Sequence, residues 1–238
     1  MVETSFNYEE TRKNIGRAAA DCLLDIVYDG DVIGIAWGTT IYEMVNFLPS
    51  SVDKSNISVV QLTGGLNQVS MDFNAIELTR RVAKIFNAES YQLYASAIVD
   101  SEDTKKVLFS ESNIKKTLEM FNVVNIAVVG IGSVISKPST MLYRDGFIKK
   151  NDFKNILNSC AAGDINSYFY DKNGKRCKTP LENKTIGMNL DQLKRVRYTI
   201  AVAGGEFKVD AIHGALKGKI INVIVTDSET AKAILKKQ

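Results

Sequence analysis

Histidine appears once in this chain of 238 residues, and cysteine and proline three times each. Each scarcity removes a class of function. A lone His213 cannot assemble a histidine metal site and no C-x-x-C pair replaces one, so no metal and no cofactor is expected. Its expected place is structural, within a helix that begins near Lys208. Cys22, Cys160 and Cys177 are far apart and odd in number, which offers no disulfide framework. With no signal peptide and no apolar run approaching about 20 residues, they point to a reducing cytoplasm and no membrane span. Charge is nearly balanced, at a net +3. That excess is too small for a nucleic-acid footprint, and the lysine-rich end "AKAILKKQ" reads as the solvated last turn of a helix. No linker rich in Pro, Gly or Ser interrupts the chain, and no repeat divides it. A single domain over residues 1–238 is expected, large enough to bury roughly 70–75% of its unfolded surface.

What is present is an alternation of amphipathic segments and short apolar runs. Residues 8–28 place Ile15, Ala18, Ala19, Cys22, Leu23, Ile26 and Val27 on one helical stripe. A strand over 31–37 then leads into a helix from Thr39 to Leu48, closed by Pro49. "ISVVQLTGG" is a strand ending in two glycines, with a helix over 74–86 behind it. "YQLYA" reads as a third strand, a helix follows at about 111–120, and "NVVNIAVVGIG" is a wholly apolar strand stopped by glycine. A helix over 152–160 precedes "INSYFYDKNGKRC", whose alternating runs predict a hairpin around Lys172-Asn173-Gly174. "YTIAVAGG", a helix over about 207–217, "IINVIVTD" and a terminal helix complete the chain.

Four of these strands end in small residues: at Gly38, at Gly64-Gly65, at Gly130 and Gly132, and at Gly204-Gly205. Runs apolar on both faces suit buried parallel strands, and an open parallel sheet binds ligands outside its carboxyl ends. Glycine there serves either tight strand–helix packing or the close approach of a ligand, and the glycines alone leave both open. They do not spell a dinucleotide site, because Ile135 stands where the third glycine of G-x-G-x-x-G belongs. "GALKGK" is no Walker sequence either. Thr39 and Thr40 weigh toward a ligand at the first turn, since a cap needs one hydroxyl and a phosphate uses both together with the amides of the helix start. Lys208 after "AVAGG" and Arg144 after "GIG" are candidate cationic partners for it, or plain surface charges.

The motifs "GIAWGTTIYEM", "VVQLTGGL", "AVVGIGSV", "AAGDI", "FYDKNGK", "IAVAGGEFKVDAIHGALKGK" and "VIVTDSETAKAIL" together resemble the effector-binding domain of SorC-type bacterial transcription regulators. The likeness is strongest to the deoxyribonucleoside regulators of Gram-positive bacteria, and it runs from about Tyr8 to the C-terminus. It implies an α/β fold with a Rossmann-like, mostly parallel sheet of the sugar-phosphate-isomerase kind, as in glucosamine-6-phosphate deaminase and ribose-5-phosphate isomerase. It implies also a phosphorylated sugar as effector, bound without chemistry. Through the resemblance, Gly38, Thr39 and Thr40 match the phosphate turn, and Gly64 and Gly65 the double glycine beside the sugar. Gly163 and Asp164 match a "GD" pair whose carboxylate accepts from sugar hydroxyls. Lys208 and Arg144 match cationic positions, Gly132 lies in the "GIG" turn, and Asn74 is either a polar contact or a helix cap.

Two departures from the family pattern matter. SorC-type regulators carry an N-terminal helix-turn-helix, and the seven or so residues before the first helix leave no room for one. DNA is therefore expected to be reached only through a domain absent from this chain. In the deoxyribonucleoside regulators a lysine stands before the double glycine and can form an imine with a sugar aldehyde; here Thr63 stands there and cannot. The expected protein is a non-enzymatic sensor that acts as a homodimer or homotetramer. The competing reading, an isomerase or deaminase on the same fold, would need Asp100 or Asp164 as a base. A third reading is an assembly module with a vestigial pocket.

Overall fold

The computed structural model describes residues 1–66, 73–134, 142, 148 and 150–237. Its strands are β1 (Val32–Ile35), β2 (Ser58–Gln61), β3 (Glu89–Tyr91), β4 (Ile126–Val129), β5 (Gly132–Ser133), β6 (Ala161–Ile165), β7 (Tyr168–Asp171), β8 (Tyr198–Val202) and β9 (Val223–Val225). The main sheet has the order β3-β2-β1-β4-β8-β9, and each of its pairings is parallel. Ile33, Ile35, Val59, Val60, Val128 and Ile200 are fully buried in it, as strands covered on both faces require. From β1 the chain winds through β2 and β3 to one edge, and from β4 through β8 and β9 to the other. The winding reverses between β1 and β4, so a crevice is expected outside the carboxyl ends of these two strands.

The helices are α1 (Tyr8–Ile26), α2 (Thr39–Phe47), α3 (Ala75–Ile85), α4 (Glu102–Ser110), α5 (Ser112–Met120), α6 (Lys150–Asn158), α7 (Leu190–Leu193), α8 (Val209–Lys217) and α9 (Ser228–Leu235). α1 buries Ile15, Ala19 and Leu23, the stripe its sequence announced. It packs on α2 so closely that a Cβ added to Gly16 would lie 2.5 Å from Glu43 Cβ. The Arg12 guanidinium donates to Glu43 across the same contact at 3.4 Å. α2 is thereby fixed along its length, and with it the turn at its start.

β5, β6 and β7 form a separate antiparallel sheet in that order, over a second, smaller core that includes Leu66, Ala97, Val134, Phe169 and Leu181. Ahead of the turn expected at Lys172-Asn173-Gly174 stands a further hairpin, formed by β6 and β7. Its two-residue turn is Asn166-Ser167, between the paired Ile165 and Tyr168. Both turn residues have positive φ, 53° and 67°, the geometry that matches the twist of the flanking strands. Lys172-Asn173-Gly174 then reverses the chain as expected. Across it the Asp171 N–H donates to Lys175 O and the Cys177 N–H to Phe169 O, both at 2.9 Å, on either side of an antiparallel bridge between Tyr170 and Arg176. The third strand does differ, ending at Tyr91. Beyond it the Gln61 carboxamide substitutes for the ladder, accepting from the Leu93 N–H at 2.9 Å and donating to the Thr63 carbonyl at 2.7 Å. α4 had no counterpart in the sequence reading. None of its residues is buried, so it carries no apolar stripe, and Ser101 caps it.

Candidate ligand-binding site

The β1 ladder continues past its last strand residue. The Ala36 N–H donates to Val128 O at 3.0 Å, and the Leu62 N–H to Ile35 O at 2.9 Å. The chain then breaks at Gly38, whose φ of 150° and ψ of 151° favour a residue without a side chain. Gly38 donates to Phe73 O at 3.3 Å and accepts from the Tyr42 N–H at 2.9 Å, which starts α2. A glycine cannot cap with its side chain. Among the described residues no acceptor meets the N–H groups of Thr39, Thr40 and Ile41, and no partner meets the two threonine hydroxyls. The positive end of α2 therefore faces the crevice with its donors available.

Five helices are closed by a side chain, α1 by Asn7, α3 by Asn74, α4 by Ser101, α7 by Asn189 and α9 by Asp227, whereas α5 and α8 share with α2 the lack of a side-chain cap. Asn74, expected as either contact or cap, accepts from the Ile76 N–H at 3.2 Å and so is a cap. Its carboxamide also lies beside Gly65, where an added Cβ would come 3.6 Å from Asn74 Oδ1.

The glycine-rich strand ends divide into two kinds. Among the described residues an added Cβ would meet nothing closer than 3.9 Å at Gly38, 3.6 Å at Gly65 and 3.7 Å at Gly130. These three open positions follow β1, β2 and β4, which lie side by side in the sheet. Elsewhere the protein has filled the space itself. At Gly64 a Cβ would lie 2.5 Å from the Ala97 N and 2.6 Å from Ser96 O. Gly204 would meet Asp227 Oδ2 at 2.4 Å, and Gly163 would meet Ala211 Cβ at 2.6 Å and Gly132 O at 2.7 Å. Gly64, Gly163 and Gly204 are thus packing glycines, whatever approaches the others.

Thr63 is fully buried in a bridge to Gly187, and its hydroxyl oxygen has no hydrogen-bond partner. Gly130 and Ile131 carry the chain from the crevice to Gly132, which pairs in register with the buried Asp164. Burial first, and the nearby Asp164 charge second, push the Tyr170 phenol well above its ordinary value; its hydroxyl donates to Ala211 O at 3.0 Å. Lys208 ends a short 3-10 turn, Glu206–Lys208, that lies against β5. It is half-buried and follows β8, the neighbour of β4 in the sheet. Arg144 lies outside the described residues. Asp100 is exposed beside the α4 cap, and His213 is half-buried within α8. Two participants carried no site assignment from the sequence: Gly130, quoted only as a strand end, and Trp37, whose one signal was its place directly before the glycine turn.

A doubly wound sheet with an open helix start at its switch point defines an α/β ligand-binding domain. The chain belongs to the family described as "Putative sugar-binding domain", whose model matches residues 1–236. It is 33% identical over 230 residues to the deoxyribonucleoside regulator of Bacillus subtilis, covering 96% of this chain and 72% of that protein. Against the sorbitol operon regulator of Klebsiella pneumoniae the identity is 30%, covering 96% and 72%. Among solved structures, a probable sor operon regulator from Shigella flexneri superposes with a TM-score of 0.91 at 27% identity, covering 99% of this chain and 92% of that one. The full-length sorbitol operon regulator of K. pneumoniae gives 0.91 at 28%, covering 99% and 75%. The expected fold and family are thereby established.

Proposed function

We propose that this chain senses a phosphorylated sugar for a transcription regulator and that the β1–α2 turn holds the phosphate. The observation that carries this reading is the uncapped start of α2, with the hydroxyls and amides of Thr39 and Thr40 available at the centre of three open strand ends. A dianion suits such a concentration of donors, and a neutral hydroxyl does not. Lys208 and Arg144 supply positive charge, and Asp164 accepts from sugar hydroxyls. Ligand binding biases a homodimer or homotetramer between two arrangements, and DNA is engaged by a part of the regulator other than this chain. The names of the relatives, regulators of deoxyribonucleoside and sorbitol genes, support the sensor over an enzyme.

The test is a melting series with matched pairs, glucose 6-phosphate against glucose and deoxyribose 5-phosphate against deoxyribose. Phosphorylated members should raise the melting temperature, by about 2.7 kcal/mol of linkage at 100 times the dissociation constant. Equal shifts within every pair would remove the phosphate from the proposal. Thr63 adds a second expectation. A threonine hydroxyl has no route to an imine, so deoxyribose 5-phosphate binds reversibly and borohydride leaves no reduced adduct.

A further inference from the structure

Resting on the sugar-phosphate reading, we infer that Trp37 is a recognition residue whose indole N–H donates to a hydroxyl or ring oxygen of the sugar. The inference begins with the sheet register. β1 pairs with β2 as Val32 with Ser58 through Ile35 with Gln61, and with β4 as Ile33 with Ile126 and Ile35 with Val128. The ladder hydrogen bonds at Ala36 and Leu62 carry both registers onward. Two residues past Ile35, Trp37 falls opposite Thr63 on one side and Gly130 on the other. Laterally paired residues of parallel strands project to the same face, so these three positions form one row across the carboxyl ends.

The row is unusual in what it leaves unmade. Trp37 Nε1 and Thr63 Oγ1 are both buried, and neither has a hydrogen-bond partner among the described residues. Buried polar groups are nearly always paired, so two orphans on one row ask for a common partner. Gly130 contributes no side chain, and an added Cβ there would be 3.7 Å from its nearest neighbour, the Trp37 carbonyl. The row thus pairs two neutral polar groups with a gap, immediately before the phosphate turn at Gly38. Neutral groups next to a cationic helix start suit the uncharged end of a sugar phosphate. The Trp37 ring also packs against the second core, the one that holds Leu66, Val134 and Phe169. An aromatic body with one N–H is the chemistry that meets an apolar wall and a sugar hydroxyl at once.

Trp37 is the one tryptophan of the chain, so a single indole N–H resonance reports on it. The experiment titrates the unmodified chain and Trp37→Phe, which keeps the ring and removes the N–H, with deoxyribose 5-phosphate, glucose 6-phosphate and inorganic phosphate. A sugar phosphate that binds should shift the indole N–H resonance and slow its exchange with water. It should bind Trp37→Phe about 5- to 10-fold more weakly, the ordinary loss for one neutral hydrogen bond. Inorganic phosphate should bind both chains alike. If a sugar phosphate binds Trp37→Phe as tightly as the unmodified chain, or leaves the indole resonance and its exchange unmoved, Trp37 is not a recognition residue. If no sugar phosphate binds the unmodified chain, the sensor reading of the preceding subsection fails first, and this inference with it. Trp37→Tyr guards against a variant that folds poorly, because it retains an aromatic wall; it too should bind sugar phosphate more weakly and inorganic phosphate normally.

Discussion

Two helices start at the same edge of the main sheet, and they meet it in opposite ways. α9 follows β9 and begins at Asp227, a buried carboxylate that accepts from Thr230 N at 3.0 Å, Thr230 Oγ1 at 2.7 Å, Thr4 Oγ1 at 2.7 Å and Gly205 N at 3.1 Å. α2 follows β1 and begins at Gly38, with no side chain to offer. One helix dipole has a permanent anion of the protein's own, and the other has none among the described residues. The glycines show the same division, since Gly204 makes room for Asp227 while at Gly38 no described residue comes closer than 3.9 Å. A glycine-rich strand end is therefore ambiguous by itself; the side chain that follows it decides whether the space is already filled.

The largest effect should come from confusing the two kinds of glycine. In Gly64→Ala the new methyl meets main chain at 2.5 Å, and a loss of about 3 kcal/mol or failure to fold is expected in urea melts. Gly65→Ala has room at 3.6 Å and should cost less than about 1 kcal/mol. Next comes Asp227→Ala, which removes four hydrogen bonds at once. A loss of about 2–3 kcal/mol is expected, with affinity for glucose 6-phosphate unchanged.

Thr39→Asp reverses that outcome. It gives α2 an anion of its own, so stability should hold or rise by about 0.5 kcal/mol while glucose 6-phosphate binds at least ~30-fold more weakly, measured by calorimetry. A variant that bound normally would show that phosphate does not sit at this turn.

The smallest effect separates the two anions by pH. Burial opposes the Asp227 charge, but the hydroxyl and N–H of Thr230, the Thr4 hydroxyl and the Gly205 N–H together hold its carboxyl below the usual 3.8. A depressed folded value means that its stabilisation is complete above 3.8 and is lost only as pH falls through the lower folded value. Between pH 7 and pH 5 the α9 cap is thus constant. A sugar phosphate takes up its second proton near pH 6, so affinity at α2 should fall by up to about tenfold over the same window. A flat affinity would mean that the second charge is not read.

Much of this was legible without coordinates. The alternation of apolar runs with helical stripes specifies a wound parallel sheet, because strands buried on both faces and helices buried on one leave different periodicities. The Gly38-Thr39-Thr40 turn was legible in its two adjacent hydroxyls, one more than a cap needs, but only the structure shows that neither of them caps α2. α4 was not legible, because a helix with no buried residue leaves only its cap as a signal. The turn at Lys172-Asn173-Gly174 was legible in its residues, whereas the one at Asn166-Ser167 was set by the pairing of Ile165 with Tyr168.

Sequence by itself determined the order of the elements, the family and the turn at the start of α2, all of which rest on local patterns. Tertiary structure decided which strand ends are open and which are filled. That decision belongs to contacts between residues far apart in the chain: Gly64 with Ser96 and Ala97, Gly163 with Ala211, and Gly204 with Asp227. It also set Trp37 in one row with Thr63 and Gly130, a relation that exists only because parallel strands bring positions 26 and 93 residues apart into register.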